Sequence, residues 1–406
     1  MPHDIPHLLG ILVATLVATK LLGELAQRIG QPAVLGELLA GVLLGASLLG
    51  ILQPDDPVIH AFSEIGVLVL LFEIGLHTDL RSLLGVGSAA VTVGLVGVVV
   101  PFALGTGAAH LMGLPAIPAI VCGAALTATS IGISARVLSD LGQLETREGQ
   151  VVLGAAVLDD VVGLIILSVV SALASGVSVS AMGVGISTAA AVGFIVAALV
   201  IGGRIAPPLF RAAVHLEAEG SLGVLALAFA FFMAWLAAKA DSASIIGAFA
   251  AGLVLHRTPQ REAIESKVTT LGHFFVPIFF AAVGAAVDVR TLADPHVALV
   301  GGALIVVALV GKFVAGYAPW WFHGSKTLVG VAMIPRGEVG LIFAQMGLAT
   351  GALDVSLFSA IAVMVMVTTF IPPPILSHLS RRRPAASPRL SGVAEEGIDD
   401  LVVGGE

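Results

Sequence analysis

Two adjacent carboxylates, Asp159 and Asp160, sit between the apolar runs Val151–Leu158 and Val161–Val170. In a bilayer an ionised carboxylate at that depth costs about 2.5–3.5 kcal/mol even on the gentler insertion scale. Neighbouring carboxylates also repel each other, so the pair is relieved by a proton or by a bound cation. Such a pair can hold a small cation when deprotonated and release it on protonation, which is the chemistry of exchange. Lys312 lies deep in another apolar run, starting at Val297. A lysine there needs a carboxylate partner, and one of the aspartates is the obvious choice. A bond that opens when an ion binds and a permanent pair between helices both fit.

Other polar residues interrupt apolar runs. Arg336 and Glu338 flank Gly337 in Pro335-Arg336-Gly337-Glu338, a spacing that suits an ion pair holding a helix break. Thr127, Thr129 and Ser130 place three hydroxyls within four residues. Glu37 follows Gly36, while Glu64 and Glu73 lie nine residues apart, on opposite faces of one helix. Each either lines a water funnel or has a structural role. His77, His256 and His273 fall near span ends and read as interfacial histidines, and Asp55 and Asp56 as solvated loop residues.

The elements that position these groups must be membrane helices. The 406 residues are 57% hydrophobic and 11% charged, with a mean hydropathy of +1.05, whereas soluble domains carry about 25% charge. The 48 glycines suit close helix packing in lipid. A single cysteine, Cys122, excludes a disulfide scaffold, and a net charge of −8 without a basic patch excludes a nucleic-acid partner. Runs of about 20 apolar residues predict an all-α polytopic protein with thirteen spans. They lie near 7–25, 32–52, 58–77, 84–111, 116–139, 150–174, 182–203, 220–238, 242–256, 264–286, 297–321, 326–349 and 355–378. The first run lacks a small-residue cleavage site and reads as a retained helix. Residues 379–406 are polar and read as a disordered cytoplasmic tail.

Loop charge sets the orientation. With the N-terminus outside, fifteen basic residues fall on the cytoplasmic side: Lys20, Arg28, Arg81, Arg136, Arg147, Arg204, Arg211, Arg257, Arg261, Lys267, Lys326, Arg381, Arg382, Arg383 and Arg389. Only Lys239 and Arg290 fall outside. That bias predicts an odd number of spans, N-out and C-in.

The chain also repeats itself. Gly36 and Gly41 match Gly247 and Gly252, and Gly75, Asp79, Arg81 and Leu83 match Gly284, Asp288, Arg290 and Leu292. Because Arg81 falls inside and Arg290 outside, the two five-helix units are expected to be inverted. Inverted repeats with interrupted helices at the midplane mark secondary transporters. The interruptions here are Leu126–Ser130 and Pro335–Glu338, with Gly132 and Gly340 208 residues apart. Both read as broken, crossing helices whose freed backbone groups line a polar cavity.

At these residues the sequence resembles the monovalent cation:proton antiporter-2 family, in particular bacterial NapA-type sodium/proton antiporters. The resemblance covers about residues 7–378. It rests on Thr127–Leu138, Leu158-Asp159-Asp160, Pro277–Phe280 with Gly284, Gly311-Lys312 and Pro335–Leu341. It implies a homodimer in the bacterial inner (plasma) membrane, with an elevator-like core. Residues 1–78 and 215–292 would form the dimer scaffold and residues 84–175 and 296–378 the transport core, joined by a linker helix at 182–203. By motif match Asp160 would bind the ion and Asp159 would pair with Lys312, while Thr127, Thr129 and Ser130 would border the site. The double aspartate with the lysine implies electrogenic exchange of two protons per Na⁺ or Li⁺, with no cofactor and no enzymatic reaction.

The sequence departs from the family pattern at His77, where an acid is common, and at Glu73, where an apolar residue is expected. No nucleotide-binding regulatory domain follows the last span, which favours sodium over potassium. A K⁺/H⁺ antiporter and a sodium-coupled organic-anion symporter are the alternatives; the symporter would have only Lys312 and Arg336 as buried cations for a carboxylate. An intramembrane aspartyl protease is excluded, because neighbours on one helix point about 100° apart. No carbonyl-lined filter of the kind found in channels is evident.

Overall fold

The computed structural model describes residues 5–53, 56–78, 81, 85–174, 185, 189, 193–213, 220–240, 244–286, 290 and 294–381, apart from the side chains at 164, 168, 171, 172, 296 and 338. Asp55, Asp79, Leu83, Asp288, Leu292, Arg382, Arg383, Arg389 and most of 182–192 lie outside the described residues. Among the described residues the chain is helical, with no strand. The helices are α1 (Ile5–Arg28), α2 (Ala33–Leu44), α3 (Pro57–His77), α4 (Gly87–Leu111), α5 (Ala116–Ala125), α6 (Ile131–Asp140) and α7 (Arg147–Ala174). Then come α8 (Gly193–Ala213), which contains a π-helical turn at Ala198–Gly202, α9 (Ser221–Lys239), α10 (Ser244–His256), α11 (Arg261–Ala285) and α12 (Pro295–Ala315). The chain closes with α13 (Lys326–Ala332), α14 (Glu338–Ala349), α15 (Val355–Phe370) and α16 (Pro372–Arg381). Nine helical stretches among the described residues are long and apolar enough to cross a membrane, and four shorter apolar helices accompany them.

Local chemistry sets the helix ends. Asp56 caps α3, its Oδ1 accepting the Val58 N–H at 2.8 Å, with Pro57 at the first helical position. Asp354 accepts the Leu357 N–H at 2.8 Å at the start of α15. Three expected spans are less regular than apolarity alone suggests. The run 32–52 is helical only to Leu44, after which a turn through Gly50 (φ 65°) returns the Leu52 N–H to the Leu44 carbonyl at 2.8 Å. The run 297–321 stops at Ala315 before Pro319. The last run breaks at Ile371, because Pro372-Pro373-Pro374 supplies no N–H groups to continue it.

The principal helix packings fall into two sets. One joins α1, α2, α3, α8, α9, α10 and α11. The other joins α4, α5, α7, α12, α13, α14, α15 and α16. Helix α6 rests on α7 and also touches α2 and α3, so it bridges the sets. At that bridge Pro32 offers α2 no side-chain cap. The Asp140 carboxylate, at the end of α6, lies in hydrogen-bonding reach of the Ala33 and Val34 N–H groups instead.

Within the first set, close contacts come in matched pairs. Gly36 lies against the backbone of Leu22, and 211 residues later Gly247 lies against that of Met233. Gly75 meets Phe249 and Gly252, whereas Gly284 meets Leu38 and Gly41. A Cβ at any of the four would fall on neighbouring backbone. Small residues permit this approach in lipid, where dispersion rather than hydrophobic burial holds helices together.

Candidate ion-binding site

Both interruptions are backbone breaks, and they meet. Between α5 and α6, Ser130 is extended (ψ 100°), and between α13 and α14 residues 334–337 are non-helical. The orphaned backbone groups are satisfied across the crossing. Ser130 N–H donates to the Pro335 carbonyl at 2.9 Å, and Ser134 Oγ to Ala332 O at 2.7 Å. Arg336 donates through Nη1 to Ala128 O at 2.6 Å, while its own carbonyl accepts from Thr369 Oγ1. Each break therefore serves as the other's hydrogen-bond partner.

The buried charges gather beside this crossing. Asp159, Lys312 and Arg336 are all fully buried. Asp159 Oδ2 accepts from Lys312 Nζ at 2.5 Å and from Thr129 Oγ1 at 2.6 Å, both charge-assisted. Thr129 has one hydroxyl proton, so its 3.2 Å approach to Met333 O is secondary. Space for the lysine comes from Gly97 of α4, where a Cβ would lie 3.4 Å from Nζ. Among the described residues, Asp159 Oδ1 and Arg336 Nε and Nη2 have no hydrogen-bond partner.

Asp160 points elsewhere. It lines a cavity of about 370 Å³ together with His60, Ser63 and Glu64 of α3, Phe279 of α11 and Gln345 of α14. The roughly 100° step between neighbours on α7 thus gives one aspartate to the protein interior and the other to the cavity. The cavity lies between the two packing sets. Its lining includes the first turn of α3 and the last turns of α11.

The remaining sequence-predicted residues divide. Thr127 Oγ1 donates to Ala124 O at 2.7 Å, closing the end of its own helix. Ser130 Oγ is buried beside Gly337, without a partner among the described residues. Glu37 is buried away from the cavity, with Oε2 unpartnered among the described residues and the charges of Arg136, Asp140 and Lys20 acting on it. Glu73 accepts from Thr269 Oγ1 at 2.7 Å on α11, and His77 pairs with Glu265 at 2.9 Å. Glu338 begins α14 but its side chain, and so any pair with Arg336, lies outside the described residues.

Sequence reasoning passed over several participants. The carbonyls of Ala128, Ala332 and Pro335 carry no side-chain signal. Thr369 and Gln345 did carry one, as polar residues in apolar helices. Arg136, read only as a cytoplasmic-side charge, is paired at 3.0 Å with Asp140, four residues on along α6.

Paired helix breaks around a buried charge network define a polytopic membrane carrier by architecture. The chain belongs to the sodium/hydrogen exchanger transmembrane family, whose model matches residues 11–382. It is 42% identical to the high-affinity Na⁺/H⁺ antiporter NhaS3 of Synechocystis, over 91% of this chain and 89% of that protein. It is 34% identical to the Na⁺/H⁺-K⁺ antiporter GerN of Bacillus cereus (89% and 94%) and 32% identical to a Na⁺/H⁺ antiporter of Enterococcus hirae (92% and 98%). In fold it is similar to the sodium proton antiporter MjNhaP1 of Methanocaldococcus jannaschii, with a TM-score of 0.65 at 18% identity over 92% of this chain and 96% of the other.

Proposed function

We propose that this protein exchanges Na⁺ or Li⁺ for H⁺ across a bacterial plasma membrane, with Asp160 as the carboxylate that takes the ion. One observation carries the reading: Asp160 faces the cavity while its neighbour Asp159 is held by Lys312 against the crossed helix breaks. Entering cations meet Asp160, Thr129 holds Asp159 in place, and protons displace the ion at the same carboxylates. The names of NhaS3, GerN and the Enterococcus protein support Na⁺/H⁺ exchange; that of GerN keeps K⁺ as the competing cargo.

The same reading assigns the second packing set to a moving core and the first to a static scaffold, with α8 as the linker, in a NapA-type homodimer. Matched glycine contacts in the scaffold and matched breaks in the core support two inverted five-helix repeats. Nine long apolar helices and four shorter ones suit thirteen spans, N-out and C-in. With that orientation the cavity opens outward, because the N-terminal turn of α3 is external. Two protons entering per Na⁺ leaving moves one net charge inward, worth about 2.3 kcal/mol per 100 mV.

Proton flux in proteoliposomes tests the reading, with Na⁺, Li⁺ and K⁺ added separately. Sodium-triggered proton release that Asp160→Asn abolishes supports it. Organic-anion uptake without proton movement refutes it, and K⁺ as the best trigger replaces the cargo. Loss of the response to an imposed voltage in Lys312→Gln supports coupled charge on the lysine.

A further inference from the structure

Glu64 lines the same cavity as Asp160. The two come from different packing sets, Glu64 from α3 and Asp160 from α7. Glu64 lies seven residues past Pro57, about 10 Å along the helix axis from its start. At that depth in a span a carboxylate facing lipid would be strongly disfavoured. It is nonetheless exposed, and among the described residues it forms no hydrogen bond or ion pair. A carboxylate exposed at that depth is in water, so the cavity is a wet vestibule. His60, one turn earlier on the same face of α3, lines the vestibule with Ser63. The rest of the described lining is apolar or neutral, including Phe279, Val283, Leu341 and Gln345, and Asp160 is the other carboxylate in it.

We propose that Glu64 is a staging ligand for the cation on the vestibule side, holding Na⁺ in passage between bulk water and Asp160. The Glu64 charge, in a cavity with low-dielectric walls, focuses cations toward Asp160 and concentrates them locally. The neighbouring Ser63 hydroxyl and Gln345 amide add oxygen donors of the kind a dehydrating Na⁺ needs. In the proposed orientation the first turn of α3 and the last turns of α11 that line the vestibule are external, so the effect is one-sided. Removing Glu64 alters how the cation is captured from that face and leaves capture from the opposite face unchanged. The assignment rests on the Na⁺/H⁺ exchange reading.

The test compares the apparent KM for Na⁺ in right-side-out vesicles, which present the outer face, and in everted vesicles, which present the cytoplasmic face. Glu64→Gln is expected to raise KM at the outer face by roughly three- to tenfold, with maximal rate and cytoplasmic-face KM unchanged. Glu64→Asp should restore most of the outer-face affinity, since it keeps the charge. Unchanged KM at both faces overturns the assignment, as does an equal change at both or a loss of maximal rate alone. Failure of the exchange reading itself is distinct: the unsubstituted protein would then show no sodium-dependent proton flux in either vesicle type.

Discussion

Replacing Lys312 with methionine removes one charge of a fully buried pair and preserves most of the side-chain volume. In the parent, Nζ lies 2.5 Å from Asp159 Oδ2, a gross attraction of about 7 kcal/mol at an effective dielectric of 20. Several kcal/mol of desolvation per ion offset most of it. The net value of the pair is therefore small, but breaking it from one side leaves Asp159 charged and buried, at a cost of about 3–5 kcal/mol. Thr129 still donates to Oδ2 and the Arg336 guanidinium remains nearby, so the lower end of that range is expected. With unfolding entropy scaling as in other folded chains, a loss of about 3 kcal/mol shifts the Tm of 406 residues by about 4 °C. Fluorescence-detected thermal unfolding in detergent measures it, and Asp159→Asn combined with Lys312→Met should recover most of the loss. A single Lys312→Met variant as stable as the parent would refute the reasoning. So would a double variant whose loss equals the sum of the two single losses, because no coupling would then exist between the two side chains.

Thr129→Val removes one of the two donors to Asp159 and should cost about 1–3 kcal/mol by thermal unfolding, with a matching loss of exchange rate. Arg336→Lys keeps the charge but loses the planar reach to Ala128 O, so Tm should fall while the helical circular-dichroism signal persists. Gly36→Ala and Gly247→Ala each force a methyl onto backbone and should lower folded yield in detergent to a similar extent, whereas Gly107→Ala, whose Cβ meets nothing, should be neutral.

Composition and charge made the fold legible because both report directly on solvent. An 11% charged chain has few places to put an aspartate, so Asp159, Asp160 and Lys312 stood out before any helix was placed. The helix breaks were legible from Pro335 and the hydroxyl cluster for the same reason: they are costly in lipid unless satisfied. Three-dimensional partners were not. Glu37 and Glu73 resembled funnel residues, yet Glu37 lies buried near Arg136 and Glu73 on Thr269, since a sequence does not say which neighbouring helix an acid will face. Glu64 looked equivalent to Glu73 by type, and only the half-turn between their helical faces gives one to the vestibule and the other to α11. The carbonyls that knit the crossing were invisible, because every residue has one.

Helix α2 begins on a borrowed cap. Its first amides, at Ala33 and Val34, face a carboxylate supplied by α6, the helix that bridges the two packing sets, and a missing cap costs a helix about 1 kcal/mol. Any rearrangement that carries α6 away uncaps α2 and frays its first turn. Those two amides are thus a built-in gauge of the docking state, readable by hydrogen–deuterium exchange without any label. Protection at Ala33 and Val34 should fall about fivefold in Asp140→Ala, and the same two positions should lose protection whenever the closed end of the carrier opens.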